Sequence, residues 1–142
     1  MAHTRDWVLA RVASVVAGLP ERLTQTTSPF TFKLQPDGAI DGAFRVEVEH
    51  DRTEGRFGMT EEQTDRVTVW VARRLAENQA DVYATILRDL IAIRGAVIRD
   101  GHVGGGDYLV EATGGLASVQ YTDGHEFLVG QVVLPINYDV VL

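Results

Sequence analysis

Few residues in this chain have types and spacings that suggest chemistry. Its four histidines, His3, His50, His102 and His125, are separated by more than twenty residues each, and no two can share a helical turn. Protein zinc sites place at least two ligands a few residues apart, so no metal centre is expected. His50 and His102, flanked by Asp51 and Asp107, read as polar residues at strand ends or in loops. Cysteine is absent, which removes thiol nucleophiles, thiolate ligands and disulfides together. No Gly-x-Ser-x-Gly elbow occurs. Glu47 and Glu49 are spaced to share one strand face as a carboxylate pair, although on an exposed face the same spacing gives two solvated acids. Gly104-Gly105-Gly106 would cradle phosphate only if it led from a strand into a helix with a lysine following. The residues after it read as strand, so a flexible connection is expected. Trp7 and Trp70 read as a core and an interface residue, with no basic groove to make them a stacking platform. No catalytic, cofactor-binding or metal-binding residue is therefore assigned.

Charge has a clearer direction. The 142 residues contain 13 Lys and Arg against 20 Asp and Glu, a formal net charge of −7. Residues 37–65 hold nine acids and three arginines, and no Lys or Arg follows Arg99. Compensation lies between Arg66 and Asp100, where six arginines meet four acids. Nucleic-acid affinity comes mainly from clustered cations that release counterions, so sequence-reading DNA binding is excluded. The acidic stretches read as solvated faces, as a wall that repels DNA, or as a surface for a basic partner. A chain of this length forms one core, and 1–142 is read as a single domain. No stretch is apolar enough for a membrane helix, and Met1 to Asp6 gives no sign of a signal peptide.

Periodicity then supplies the elements. Trp7, Val8, Val12, Val15, Val16 and Leu19 recur at spacings of three and four. They predict a helix from Thr4, its N-cap, to a stop at Gly18 and Pro20. Residues 24–29 read as a turn, Phe30 to Leu34 as a strand and Pro36-Asp37-Gly38 as a further turn. Phe44 to His50 alternates cleanly, as does Asp65 to Arg73 with Val67, Val69 and Val71 on one parity. The polar segment Asp51 to Thr64 between them reads as a mobile loop bearing Phe57 and Met59. A second helix is expected from Asn78 to Arg94, buried through Val82, Tyr83, Ile86, Leu87, Leu90 and Ile93, with Gly95 as C-cap and Ala96 to Arg99 extended. The rest reads as strands: Tyr108 to Thr113, Leu116 to Tyr121, a hairpin turn at Asp123-Gly124, and Glu126 to Asp139 with Gly130 marking a bulge and Pro135 an unpaired edge. The predicted architecture is α+β, a mainly antiparallel sheet with two helices packed on one face. Apolar residues on both parities of several strands suggest that a neighbouring subunit covers the other face.

Four stretches carry a family likeness. The strand Asp65-Arg66-Val67-Thr68-Val69-Trp70-Val71-Ala72-Arg73 is followed by a helix through Asp81, Ile86, Leu87 and Leu90. A β-rich end closes in Phe127-Leu128-Val129-Gly130-Gln131-Val132-Val133-Leu134-Pro135-Ile136. With the opening helix that ends in Gly18-Leu19-Pro20, this order resembles the tail terminator proteins of long-tailed bacteriophages. The resemblance implies a ring-forming subunit, typically a hexamer, that caps the head-proximal end of the tail tube. Such a ring stops addition of tail tube protein and offers its other face to a head-side connector or stopper protein. It implies a virion location in the tail or neck, a host-cytoplasmic stage during assembly, and DNA that only passes through the lumen. Six copies carry about −40, so DNA can slide through without sticking. On this reading the contacts with tube or neighbour fall on Arg52, Glu54, Arg56, Phe57, Met59, Arg66, Trp70, Arg73, Arg74 and Arg88. Arg66, Arg73, Arg74 and Arg88 in particular would pair with acids of adjacent subunits.

Two other readings fit the same residues. One is a head-side neck adaptor or tube-like subunit. The other is a small cytoplasmic enzyme or ligand-binding domain using residues 51–64 as a lid over Glu47, Glu49 and His50.

Overall fold

In a computed structural model of the chain, residues 3–20, 23–25, 42–75, 79–103, 108–111, 117–121 and 127–141 are described. The first helix, α1 (Arg5–Ala17), starts where the sequence caps it: the Thr4 hydroxyl accepts from the Trp7 N–H at 3.1 Å. It stops at Gly18, whose N–H donates to the Ser14 carbonyl at 3.1 Å. Val8, Val12, Ala13 and Val16 form its buried stripe.

The strands are β1 (Thr24–Gln25), β2 (Ala43–Phe57), β3 (Thr60–Arg74), β4 (Leu109–Val110), β5 (Ala117–Tyr121) and β6 (Phe127–Val141), with α2 (Gln79–Val103) between β3 and β4. They form one sheet in the order β1-β2-β3-β6-β4, with β5 also paired to β6. Every pairing is antiparallel except the short parallel one between β1 and β2. Phe44 and Val46 of β2, Val67, Val69 and Val71 of β3, and alternate residues of β6 from Leu128 to Tyr138 face the helices. Against them pack the α1 stripe and Ile86, Leu90, Ile93 and Val97 of α2. The fold is α+β with both helices on one face, as the periodicity predicts. On the opposite face Ala43, Ala72 and Val129 are buried beside Trp70, so apolar side chains do occupy both parities at that end of the sheet.

Five expectations are corrected. The segment 51–64 is a β-hairpin, not a loop: β2 runs to Phe57 and β3 starts at Thr60, with only Gly58 and Met59 between. Its pairing steps out of register between His50 and Arg52 and again between Thr53 and Gly55, and each step inverts the side-chain parity. Alternation, the signal that reveals a strand, is lost at both steps.

The second correction is that α2 does not end at Gly95. Val97 extends the buried stripe of Ile86, Leu90 and Ile93, and the helix continues through Ala96–Arg99 to Val103. Gly101, inside that last stretch, packs so tightly that an added Cβ would lie 2.7 Å from the Tyr108 carbonyl oxygen. Third, Gly130 marks no bulge. It lies in unbroken register opposite Val71 of β3 and Val119 of β5. A Cβ there would meet Leu90 Cδ1 at 2.9 Å and Ile86 Cδ1 at 3.2 Å, so the glycine lets α2 approach the sheet. Fourth, among the described residues 108–111 of the strand expected over Tyr108 to Thr113, only the two of β4 are strand.

Pro135 sits between the stretch of β6 paired by β5 and the stretch paired by β4. Its carbonyl accepts from the Glu111 N–H at 2.9 Å, and its missing donor faces that same side. Fifth, of the turn expected over residues 24–29, Thr24 and Gln25 instead form β1; its remainder, the strand expected at Phe30 to Leu34, the turn at Pro36-Asp37-Gly38, the glycine runs at 104–106 and 114–115, and the Asp123-Gly124 turn lie outside the described residues.

Candidate interaction surfaces

The β2–β3 hairpin and the adjoining C-terminal end of β6 form one end of the sheet. Gly58 makes the turn with φ +62°, a left-handed conformation that favours glycine. At this end Phe57 is 77 % exposed, Met59 68 % and Val141 60 %, the last of these opposite Thr60 in the ladder. Three large apolar side chains thus stand in water together.

Behind the tip, charges are held by one another. Arg52 donates to Glu54 at 2.5 Å and to Asp51 at 2.9 Å, and it also pairs with Glu111. Two strands, β3 and β6, lie between β2 and the β4 flank that carries Glu111. The Arg52–Glu111 pair therefore reaches across the sheet from β2 to the β4 flank. These carboxylates raise the Arg52 pKa, Glu111 most and Glu54 next. Glu61 accepts from Gln63 at 2.7 Å and from Arg56 at 3.3 Å, and these bonds, Gln63 first, hold its carboxyl below the usual range. Arg52, Glu54 and Arg56 are therefore ordered parts of a strand pair, with their head groups exposed.

The remaining arginines differ in setting. Arg66 is exposed, 3.8 Å from Glu49 and 3.7 Å from Asp51. Arg74 is exposed and lies 5.8 Å from the Phe127 ring centroid. Arg88 is exposed on α2. Arg73 is not a surface cation: it donates from Nε and Nη2 to Asp89 at 2.8 and 3.0 Å, and both side chains are largely buried. The pair ties β3 to α2 within the chain. Trp70 is half-buried against Ala43, Ala72 and Val129.

The residues of the lid reading are not brought together. Glu47 and Glu49 lie on the face away from the helices, Glu47 at 2.9 Å from Arg45, whereas His50 lies opposite Asp65 on the helix-bearing parity. Segment 51–64 cannot fold over them as a lid, because it is paired along its length.

The sequence reading missed three acids. Asp65 is fully buried, accepting from the Tyr138 hydroxyl at 2.5 Å and from Arg5 Nε at 3.1 Å, with His50 Nδ1 at 3.4 Å. Asp89 is the partner of Arg73. Asp100 is held by Arg11 Nε at 2.9 Å and by the Tyr108 hydroxyl at 2.8 Å. The Arg11 bond, with Tyr108 adding to it, holds Asp100 below the usual carboxylate range. Burial, reinforced by their acid partners, pushes the Tyr108 and Tyr138 hydroxyls well above the usual tyrosine value. A signal was available for two of these acids: Asp65 falls on the same parity as Val67, Val69 and Val71, and Asp89 falls inside the Ile86–Leu90–Ile93 stripe. Together the three fasten α1 to β3 and β6, β3 to α2, and α1 to α2 and Tyr108. They are struts, each with its lone pairs directed at partners inside the fold.

Among the described residues no group of three or more His, Asp and Glu is arranged to hold a metal ion, and no helix is long and apolar enough to cross a membrane. No protein-family model matches the chain, and no curated protein matches it.

Proposed function

We propose that this chain is a structural virion protein of the tail-terminator kind. On this reading it forms a ring, six copies by the resemblance, that caps the head-proximal end of a tail tube, ends its growth and presents the joint to the head-side connector. The observation that carries the reading is the gathering of large exposed apolar side chains at the paired hairpin end. Such a tip has no use in a lone soluble chain and suits contact with other protein subunits. A second support is the face of the sheet away from the helices, where Glu47, Glu49, Asp51, Glu62 and Glu111 stand with Arg45, Arg52 and Arg66. An acidic surface of this kind lets DNA pass without adhering.

The test is loss of the protein from an assembling particle. Tails made without it should be overlong and unjoined to heads in negative-stain electron micrographs, and adding the purified chain should restore their length. Tails of normal length, joined to heads in its absence, would overturn the reading.

A further inference from the structure

The long helix α2 is apolar on two flanks. Ile86, Leu90, Ile93 and Val97 face the sheet and are buried. A second row, Tyr83, Leu87, Ile91 and Ile98, runs at helical spacing along the adjacent flank. In that row Ile91 is 71 % exposed and Tyr83 48 %, while Leu87 and Ile98 are half-buried. Arg94 lies within the row, between Ile91 and Ile98, and Arg88 and Arg99 border it. Two of the three acids of this helix point elsewhere, Asp89 to Arg73 and Asp100 to Arg11, so what α2 offers outward is apolar and basic.

The hairpin end is its complement. Phe57, Met59 and Val141 are exposed there; around them Glu54, Glu61, Glu62 and Asp139 outnumber Arg52 and Arg56, which are already paired with Glu54, Glu111 and Glu61. Pairing α2 with α2 of a second copy would set arginine rows against each other, which charge disfavours. We propose that the hairpin tip of one copy docks on the outer flank of α2 in the next, seating Phe57 and Met59 against Tyr83, Leu87 and Ile91, with arginines facing the acidic rim. The inference rests on the reading that copies of this chain assemble, and names the two surfaces that meet. Because the surfaces differ, the contact is head-to-tail, and such a contact closes as a ring where its rotation closes, which is the form the proposed function requires. Each contact is small, so single pairs are weak and closure supplies the stability.

The absence of cysteine allows a direct test on the full chain. Met59→Cys and Ile91→Cys both alter exposed side chains, so neither should impair folding. Under mild oxidation each single variant should stay uncrosslinked, an equimolar mixture should give a disulfide-linked pair, and the double variant should give a ladder ending at the ring size. A complementary mixture tests the same contact without crosslinking. Ile91→Asp destroys the receiving flank and Phe57→Ser with Met59→Ser destroys the tip. At protein concentrations high enough to populate a single weak contact, each should be monomeric by sedimentation velocity, and the two together should form a one-to-one pair and nothing larger. Crosslinking of Ile91→Cys to itself, or absence of any crosslink while the unaltered chain forms oligomers, would overturn the inference. If the uncrosslinked mixture still caps tail tubes, the tail-terminator reading survives that failure. If the crosslinks form but tails without the protein keep their normal length, that reading fails and the contact stands.

Discussion

Arg73 and Asp89 illustrate how residue type alone misleads about role. An arginine in a charge-rich segment reads as a surface group, yet here a two-pronged bond to a buried aspartate makes it part of the joint between β3 and α2. Removing one partner leaves the other charge buried without its counter-ion, which costs about 3 kcal/mol or more. Asp89→Ala is expected to lose about that much in urea unfolding. Arg73→Met combined with Asp89→Leu should recover most of it, because a well-packed apolar pair avoids the desolvation cost. Asp100 makes a prediction with a pH sign. Its carboxyl is held below the ordinary value near 4 by Arg11 and Tyr108, so it stabilises the fold above that ordinary value. The contribution is lost as pH falls through the lower native value. Arg11 is 43 % exposed, so solvent limits the effect to about 1 kcal/mol. Urea midpoints of the unaltered chain and Asp100→Asn should therefore differ at pH 6 to 7 and converge as the pH falls through the lowered native value. A difference that persists in acid would mean that packing, not charge, holds this joint.

Elements are legible in the sequence where one physical signal acts alone. Helix α1 shows its cap, its stripe and its stop, and the clean alternation of Phe44–His50 and Asp65–Arg73 identifies the middle of β2 and β3. Legibility fails where a second requirement overrides the first. The outer half of the hairpin hides behind two register steps that scramble parity, so Phe57 and Met59, expected as contact residues, are assigned to a loop. The last two turns of α2 hide behind Gly95 and Gly101, which suggest a stop, although burial of Val97 and close packing on Tyr108 keep the helix going. The outward row on α2 is hidden differently. Tyr83 and Leu87 share the helical period of the core stripe, and sequence cannot say which apolar flank meets the sheet. Gly130 is the sharpest case, since a glycine in a strand signals either a bulge or a close approach. The second holds, with Leu90 and Ile86 already where a Cβ would stand. Gly130→Val should cost about 1 to 3 kcal/mol through overpacking, read as a lowered thermal midpoint. An unchanged midpoint would show that α2 can shift away from β6 freely.

At the scale of the whole molecule, assembly sets two electrostatic effects against each other. Each copy carries −7. With a radius of gyration of about 14 Å expected for this length, neighbouring centres lie roughly 30 Å apart. Two such charges repel by about 7 kcal/mol in water without salt. The Debye length is about 30 Å at 0.01 M and about 8 Å at 0.15 M, which reduces that repulsion to roughly 2.5 and then roughly 0.2 kcal/mol. Local arginine–acid pairs at an exposed contact contribute only about 0.5 kcal/mol each, and two or three of them do not offset the repulsion at low salt. The apolar tip, by contrast, is indifferent to screening. Association should therefore strengthen by more than tenfold between 0.01 and 0.15 M salt and change little beyond, as measured by mass photometry at fixed protein concentration. A steady weakening with salt across the same range would mean that charge pairs, not Phe57 and Met59, hold the copies together, and the predicted loss on Phe57→Ser with Met59→Ser would then be small.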